Sequence, residues 1–208
     1  MRTQLLITLD ACDVFMNWLP NAITLSRIVL VMPMVGLLLT SPDIGDYRLV
    51  FGLFLLAALT DLLDGWLARR WDCTSAIGAF LDPLADKVIA NVMLVFLASR
   101  HSDWLALTPV LMILAREFAV QGFRSMAPCV GVILKTDLLS KLKTFLQLVA
   151  IGAVLAGLGW PVLTGFAHAV AVSFLILALL ASYVSMILMF IRNADLWQRP
   201  PVPLQRRD

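Results

Sequence analysis

The sequence predicts an all-α integral membrane protein with six transmembrane helices and both termini in the cytoplasm. Of its 208 residues, 61% are hydrophobic and 14% are charged, and the mean hydropathy is +0.90. A soluble domain averages about 45–50% apolar and roughly 25% charged residues. Six apolar runs of about 20 residues, the length that crosses a bilayer as a helix, follow one another along the chain.

The two ends of the chain are predicted to lie outside the membrane domain. Residues 1–18 lack a basic region followed by a small-residue cleavage site, so they do not read as a signal peptide. They form either a short amphipathic helix at the membrane surface or a loosely ordered terminus. Residues 193–208 contain three prolines and three arginines and are predicted to be a disordered cytoplasmic tail.

The membrane domain covers residues 19–192, and proline and glycine mark its connections. Pro20 is a favourable residue at the start of the first helix. Pro42 with Gly45, and later Pro128 with Gly131, interrupt the apolar runs. The predicted helices cover residues 21–41, 48–70, 79–99, 104–126, 138–158 and 166–191.

Charge placement predicts the orientation of these helices. Of 16 lysines and arginines, only Arg48 and Arg100 fall near the outer connections, and the other 14 lie on the side of the termini. The positive-inside rule then places both termini in the cytoplasm, with the chain in the inner membrane. A net charge of +2 gives no reason to expect a nucleic-acid partner. Three scattered cysteines indicate reduced thiols.

Four aspartates stand out between the second and third helices. Asp61 and Asp64 are spaced i, i+3, and Asp82 and Asp86 are spaced i, i+4, so each pair lies on one helix face. A hairpin through residues 69–76 would bring the carboxylates together. Packed carboxylates repel each other unless a cation joins them, and hard oxygen ligands select Mg²⁺, Mn²⁺ or Ca²⁺. Aspartates that merely pair with arginines are the less favoured alternative, because charge in a bilayer is costly and usually functional.

Small residues and an arginine accompany the aspartates. Gly65 and Ala68 each lie one helical turn after an aspartate, and Gly78 lies one turn before another. Small side chains at these positions would let a ligand approach the backbone closely. Arg69 adds a guanidinium fork that suits a phosphate. The combination fits a pyrophosphate.

This pattern resembles the signature of a known family, the CDP-alcohol phosphotransferases. All eight fixed positions of the signature are filled at the family's spacing: Asp61-x-x-Asp64-Gly65-x-x-Ala68-Arg69, eight residues, then Gly78-x-x-x-Asp82-x-x-x-Asp86. The resemblance implies one or two divalent ions, with two expected, Mg²⁺ or Mn²⁺, on the four aspartates. It also implies Asp86 as general base, a CDP pocket lined by Gly65, Ala68, Arg69 and Gly78, and a homodimer.

The first helix offers two further polar candidates near the site. Asn21 and Arg27 share a face with Thr24 at its cytoplasmic end. Asn21 either caps the helix or borders the CDP pocket. The favoured interpretation of Arg27 is a side chain that snorkels to the membrane surface.

The fourth helix carries an arginine and a glutamate inside its apolar run. Arg116 would be expensive at that depth without a partner or an anion. Either Glu117 is that partner, or Arg116 binds phosphate together with Arg124 two turns further on. We expect the phosphate role.

Lysines gather before and at the start of the fifth helix. Lys135 is explained by the ordinary excess of positive charge on the cytoplasmic side. Lys141 and Lys143 lie where they could face the aspartates, and one of them is expected to bind an anion. We choose Lys141, with Arg116 and Arg124, as the group that binds the phosphate of an acceptor.

Flanking segments narrow the expected reaction within the family. LPNAITLSR, AREF, FRS and KLKT resemble the branch that makes phosphatidylglycerophosphate, although Ser140 stands where that branch is expected to have glycine. The resemblance implies transfer from CDP-diacylglycerol, a membrane lipid, to sn-glycerol 3-phosphate, with release of CMP. Synthases of phosphatidylinositol phosphate, phosphatidylserine or cardiolipin remain alternatives. A divalent-cation transporter is disfavoured because it would place carboxylates near the bilayer midplane with access from both sides.

Overall fold

The structure is a computed structural model that describes residues 25–71, 76–130, 132 and 138–195. For residues 61–71, 76–86 and 129 it describes the backbone alone.

All regular structure in these ranges is helical, which confirms the predicted all-α class. The α-helices are α1 (Leu25–Leu39), α2 (Ile44–Trp71), α3 (Ala76–Arg100), α4 (Leu107–Met126), α5 (Leu138–Gly159) and α6 (Thr164–Arg192). Two short 3-10 helices, Ala127–Val130 and Pro161–Leu163, follow α4 and precede α6.

Two helix boundaries differ from the prediction for local reasons. α2 begins at Ile44 because Asp43 and Asp46 cap it reciprocally. The backbone N–H of Asp46 donates to Asp43 Oδ1 at 2.9 Å, and that of Asp43 donates to Asp46 Oδ2 at 3.0 Å. α4 begins at Leu107, three residues late, because the amides of the preceding turn donate to the His101 carbonyl instead of starting a helix.

α5 lies at the centre of the bundle. It packs against α2, α3 and α6, while α4 packs against α3 and α6. Buried apolar side chains from all six helices form one core around it. Members with no solvent exposure include Met34, Val50, Met93, Leu97, Ile151 and Leu155. A core of this kind fixes the relative positions of polar groups on neighbouring helices.

One glycine allows the closest approach in this core. A Cβ atom at Gly157 would overlap the indole ring of Trp104 and would lie 2.9 Å from the Cβ atom of Ala167. Gly157 therefore lets α5, α6 and the connection before α4 meet.

Three connections meet at one end of the bundle, which we name the far end. Arg48 Nε donates to the carbonyl of Gly159 at 2.8 Å, joining α2 to the end of α5. The hydroxyl of Tyr47 lies 3.1 Å from Nε2 of His101, joining α2 to the connection after α3. The opposite end, which the last turns of α2 and the first turns of α3 form, is named the site end.

Two segments are long and apolar enough to cross a membrane, within the part of the chain that the structure describes. These are Leu138–Gly159 and Pro161–Arg192, and α1 is a shorter apolar helix. This composition agrees with a membrane protein. The six spans and their orientation stay predictions.

Candidate active site

The backbone places the eight signature positions at the site end. Asp61 and Asp64 lie in α2, and Asp82 and Asp86 lie in α3, so the helical spacing that pairs them is present. Gly65, Ala68 and Arg69 occupy the last turns of α2, and Gly78 lies in the first turn of α3. The predicted meeting of the four carboxylates depends on side chains outside the described residues. Asn21 and Lys135 also lie outside them.

A buried cluster of charges lies beside these positions. The carboxylate of Glu117 in α4 accepts an ion pair from Lys143 of α5, and its Oε1 atom lies 3.2 Å from Nη1 of Arg116. Its Oε2 atom lies 3.9 Å from Nζ of Lys87 in α3. Lys87 also donates to Oε1 of Gln121 at 2.6 Å. We name Lys87, Arg116, Glu117 and Lys143 the Glu117 cluster.

Burial strengthens the interactions between the charges of this cluster. Arg116, Glu117 and Lys143 are 3%, 6% and 4% exposed. Away from water, the interaction between charges is much stronger than at a surface. Three cations surround one carboxylate in the cluster, so its local field attracts a further anion.

The cluster is adjacent to the signature along α3. Lys87 directly follows Asp86, and consecutive residues of an α-helix rise by about 1.5 Å. Through its Oε2 atom, Glu117 therefore contacts the residue of α3 that directly follows the last aspartate.

The two lysines of α5 occupy different environments. Lys143 is buried in the Glu117 cluster, whereas Lys141, two residues earlier, is exposed. The prediction from the sequence was Lys141, although both lysines lie at the start of the helix and their spacing does not distinguish them. Arg124 is partly buried, with its Nε atom out of contact with water, two turns beyond Arg116 in α4.

Arg27 corrects the sequence interpretation. Its side chain is 2% exposed, so it does not snorkel to a surface. It lines a small cavity of about 30 Å³ with Thr144 of α5 and with apolar residues of α2 and α3, among them Ala57 and Ile89. Ala57 lies one turn before Asp61, and Ile89 lies one turn after Asp86. The cavity thus adjoins the signature positions, one helical turn closer to the far end.

Sequence reasoning also missed a polar residue in the middle of α5. Gln147 lies one turn beyond Lys143 on the same face and is 3% exposed. Its Nε2 atom and the Nε atom of Arg116 are buried, and neither has a hydrogen-bond partner in the part of the chain that the structure describes. Buried polar atoms are normally satisfied, so donors of this kind are available to a bound ligand. The signal was present in the sequence as two polar residues at i, i+4 in an apolar run.

Comparisons with known proteins show the family of this chain. The sequence profile of the CDP-alcohol phosphatidyltransferase family matches residues 17–192. The CDP-diacylglycerol–glycerol-3-phosphate 3-phosphatidyltransferase of Rickettsia typhi is 37% identical over 142 residues, 68% of this chain and 78% of that protein.

Enzymes of the same name from two other bacteria are similarly close. The one from Cereibacter sphaeroides is 39% identical over 166 residues, 74% of this chain and 70% of that protein. The one from Bacillus subtilis is 35% identical over 149 residues, 66% of this chain and 76% of that protein. The family profile, over residues 17–192, covers the signature and all six helices. The chain belongs to the CDP-alcohol phosphatidyltransferase family.

Proposed function

We propose that this chain transfers the phosphatidyl group of CDP-diacylglycerol to sn-glycerol 3-phosphate, forming phosphatidylglycerophosphate and releasing CMP. Relatives that carry the name of this reaction are 35–39% identical to the chain. The choice of acceptor rests on the Glu117 cluster. An acceptor with its own phosphate needs buried cations beyond those that hold the nucleotide, and Arg116 and Lys143 supply them.

The chain crosses the inner membrane six times, with both termini and the site end in the cytoplasm. Support comes from the charge distribution along the helices. Lys143 and Arg124 lie towards the site end, whereas Arg48 lies at the far end. A cytoplasmic site can reach a soluble phosphorylated acceptor.

The divalent ions of the family fit the donors that the chain offers at the site end. Two pairs of aspartates at helical spacing give hard oxygen ligands on two adjacent helix ends. Asp61, Asp64 and Asp82 hold one or two ions of Mg²⁺ or Mn²⁺, and Asp86 completes the set. When bound, such ions neutralise charge on the pyrophosphate and on the departing CMP.

The nucleotide occupies the small-residue positions of the signature. Gly65, Ala68 and Gly78 leave room for CDP against the backbone of α2 and α3. Arg69 binds its phosphate, and Asn21 borders the pocket.

The acceptor phosphate is bound from α4 and α5. Arg116 and Arg124 give guanidinium contacts. Lys143 provides a buried point charge, while the exposed Lys141 adds a weaker attraction at the mouth of the site. A phosphate held there places the acceptor hydroxyl at the level of Asp86.

Asp86 acts as the general base. It takes the proton of the acceptor hydroxyl while that oxygen forms a bond to the phosphorus that carries the lipid. The bond between this phosphorus and the oxygen of the CMP phosphate breaks, and CMP departs with the electron pair. The atoms balance without any oxidant or further co-reactant.

The test is an acceptor panel with the purified chain in nanodiscs. CMP release is measured with glycerol 3-phosphate, inositol phosphate, serine and phosphatidylglycerol, each with and without excess chelator. We expect release with glycerol 3-phosphate alone, loss on chelation, and recovery with Mg²⁺ or Mn²⁺. Faster release with another acceptor would contradict the assignment, and full turnover in chelator would contradict the metal site. The mass of the particle tests the homodimer that the family resemblance suggests.

A further inference from the structure

Glu117 holds two cations through a single oxygen atom. Its Oε1 atom pairs with both Arg116 of its own helix and Lys143 of α5. Neighbouring residues of a helix point about 100° apart, so their side chains do not normally face each other. The contact between Arg116 and Glu117 is therefore a specific one, and it limits the directions that the long arginine side chain can take.

Stability alone does not explain why two buried cations pair with one oxygen atom of Glu117. A buried ion pair can often be replaced by apolar residues with no loss of stability, because desolvation opposes the attraction. Here two cations, each more than 90% buried, share one carboxylate oxygen. Their mutual repulsion adds a further cost. What the carboxylate does provide is a fixed distance and direction between a guanidinium on α4 and an ammonium on α5.

We propose that Glu117 is a positioning residue for the acceptor. It fixes Arg116 and Lys143 relative to each other, so the phosphate is held in the one orientation that brings the acceptor hydroxyl to Asp86. The inference rests on the proposed function, since it concerns the same acceptor site. Glu117 itself does not touch the reacting atoms.

The proposal predicts that loss of the Glu117 charge lowers kcat without weakening the binding of the acceptor. Glu117→Gln removes a negative charge beside two buried cations, so their attraction for a phosphate dianion is kept or increased. The same change frees Arg116 and Lys143 to move. A misplacement of about 1 Å can lower the rate by roughly 100-fold. We therefore expect kcat to fall by about this factor while the KM for glycerol 3-phosphate stays the same or decreases.

The experiment compares four forms of the chain in nanodiscs: wild type, Glu117→Gln, Glu117→Asp and Asp103→Asn. Asp103 is an exposed acidic residue of the far end, so its variant controls for loss of one negative charge. For each form, kcat and KM are measured with the acceptor, and the affinity for inorganic phosphate is measured by calorimetry. Glu117→Asp keeps the charge but is one methylene shorter. It is the decisive variant if Glu117→Gln fails to fold.

A fall in kcat with unchanged or tighter phosphate binding in the folded Glu117 variants supports the proposal. Wild-type kcat in a folded variant would overturn it. So would a higher KM with kcat retained, because Glu117 would then serve binding alone. If the wild type prefers another acceptor, the proposed function fails, and the same comparison is made with that acceptor. The two failures are therefore distinguishable.

Discussion

Lys143 of α5 forms a buried ion pair with Glu117 of α4, the α-helix that precedes α5 in the chain. The pair brings the positive charge of α5 into the interior beside α3, where Asp86 precedes Lys87. Lys141, two residues before Lys143, is exposed, so the two lysines differ in their environment. The two lysines thus form a natural matched pair for testing which positive charge binds the acceptor.

Lys143→Met is expected to raise the KM for glycerol 3-phosphate by roughly 10- to 100-fold, the scale of a lost hydrogen bond to a charged group. Lys141→Met should change it by about threefold or less, since an exposed charge contributes little. Arg116 and Lys87 still surround Glu117 in the first variant, so its carboxylate keeps cationic partners and the fold should persist. Steady-state kinetics with CDP-diacylglycerol held at saturation give both values. Equal effects would show that burial in the Glu117 cluster does not matter for the acceptor.

Gly157→Ala is expected to destabilise the bundle by about 1–3 kcal/mol, the usual cost of overpacking. The new methyl group would overlap the Trp104 ring and crowd Ala167. Gly152 on the same helix is the matched control, because a Cβ atom there would lie 3.7 Å from the nearest ring atom of Phe54, an ordinary contact. Gly152→Ala should be neutral or stabilise by up to about 1 kcal/mol. Thermal unfolding in nanodiscs measures both. Similar losses in the two variants would contradict the packing around Gly157.

The sequence predicted the helices well because their information is local. Runs of apolar residues and the prolines between them define six helices, and even the early start of α2 was present as Asp43 and Asp46 three residues apart. The faces of the helices were not predictable in the same way. In a membrane bundle, residues that face lipid and residues that face the core are both apolar, so the pattern does not distinguish them.

The polar residues show this difference most clearly. Arg27 was expected at a surface and is buried, since its position depends on how α1 packs against α2, α3 and α5. The partners of Glu117 come from three helices, and no spacing in the sequence relates Lys87 to Lys143. The structure shows the pairing of Arg116 with Glu117, which was the less favoured of the two alternatives, while the phosphate role of Arg116 stays a prediction. The signature positions were found from their spacing and chemistry, and the resemblance assigned them to a family; their roles stay predictions.

Acidification is expected to destabilise the far end through His101. Burial lowers the pKa of this imidazole below its ordinary value of 6.5, because the charged form loses water, and Arg100 adds to the effect while Asp103 opposes it. Between the lowered pKa and 6.5, the unfolded chain binds more protons than the folded protein. Stability therefore falls as the pH decreases through that window.

The measurement is the melting temperature of the wild type and of His101→Gln across this pH range. The variant should lose less stability on acidification, even if loss of the contact with Tyr47 lowers its melting temperature at neutral pH. His168→Gln, which removes the only other histidine of the chain, is the control. Parallel curves for the wild type and His101→Gln would rule out this source of pH dependence.

Asp86→Asn should separate the chemical step from binding. The amide keeps the shape of the carboxylate but cannot take the proton of the acceptor hydroxyl, so kcat should fall by at least about 100-fold, the usual scale for a lost general base. Arg124→Ala is the contrasting variant. It removes one cation from the acceptor site and leaves the base intact, so it should chiefly raise the KM for glycerol 3-phosphate.

Both variants are compared with the wild type for kcat, for the KM of each substrate, and for the affinity for CDP-diacylglycerol at saturating Mg²⁺. The affinity measurement matters because Asp86 also belongs to the proposed metal ligands. If the lipid nucleotide binds Asp86→Asn nearly as well as the wild type while turnover is lost, the carboxylate acts on the proton. If the affinity for CDP-diacylglycerol falls together with kcat, its main role is to hold the ions. A variant with near-normal kcat would exclude Asp86 as the base.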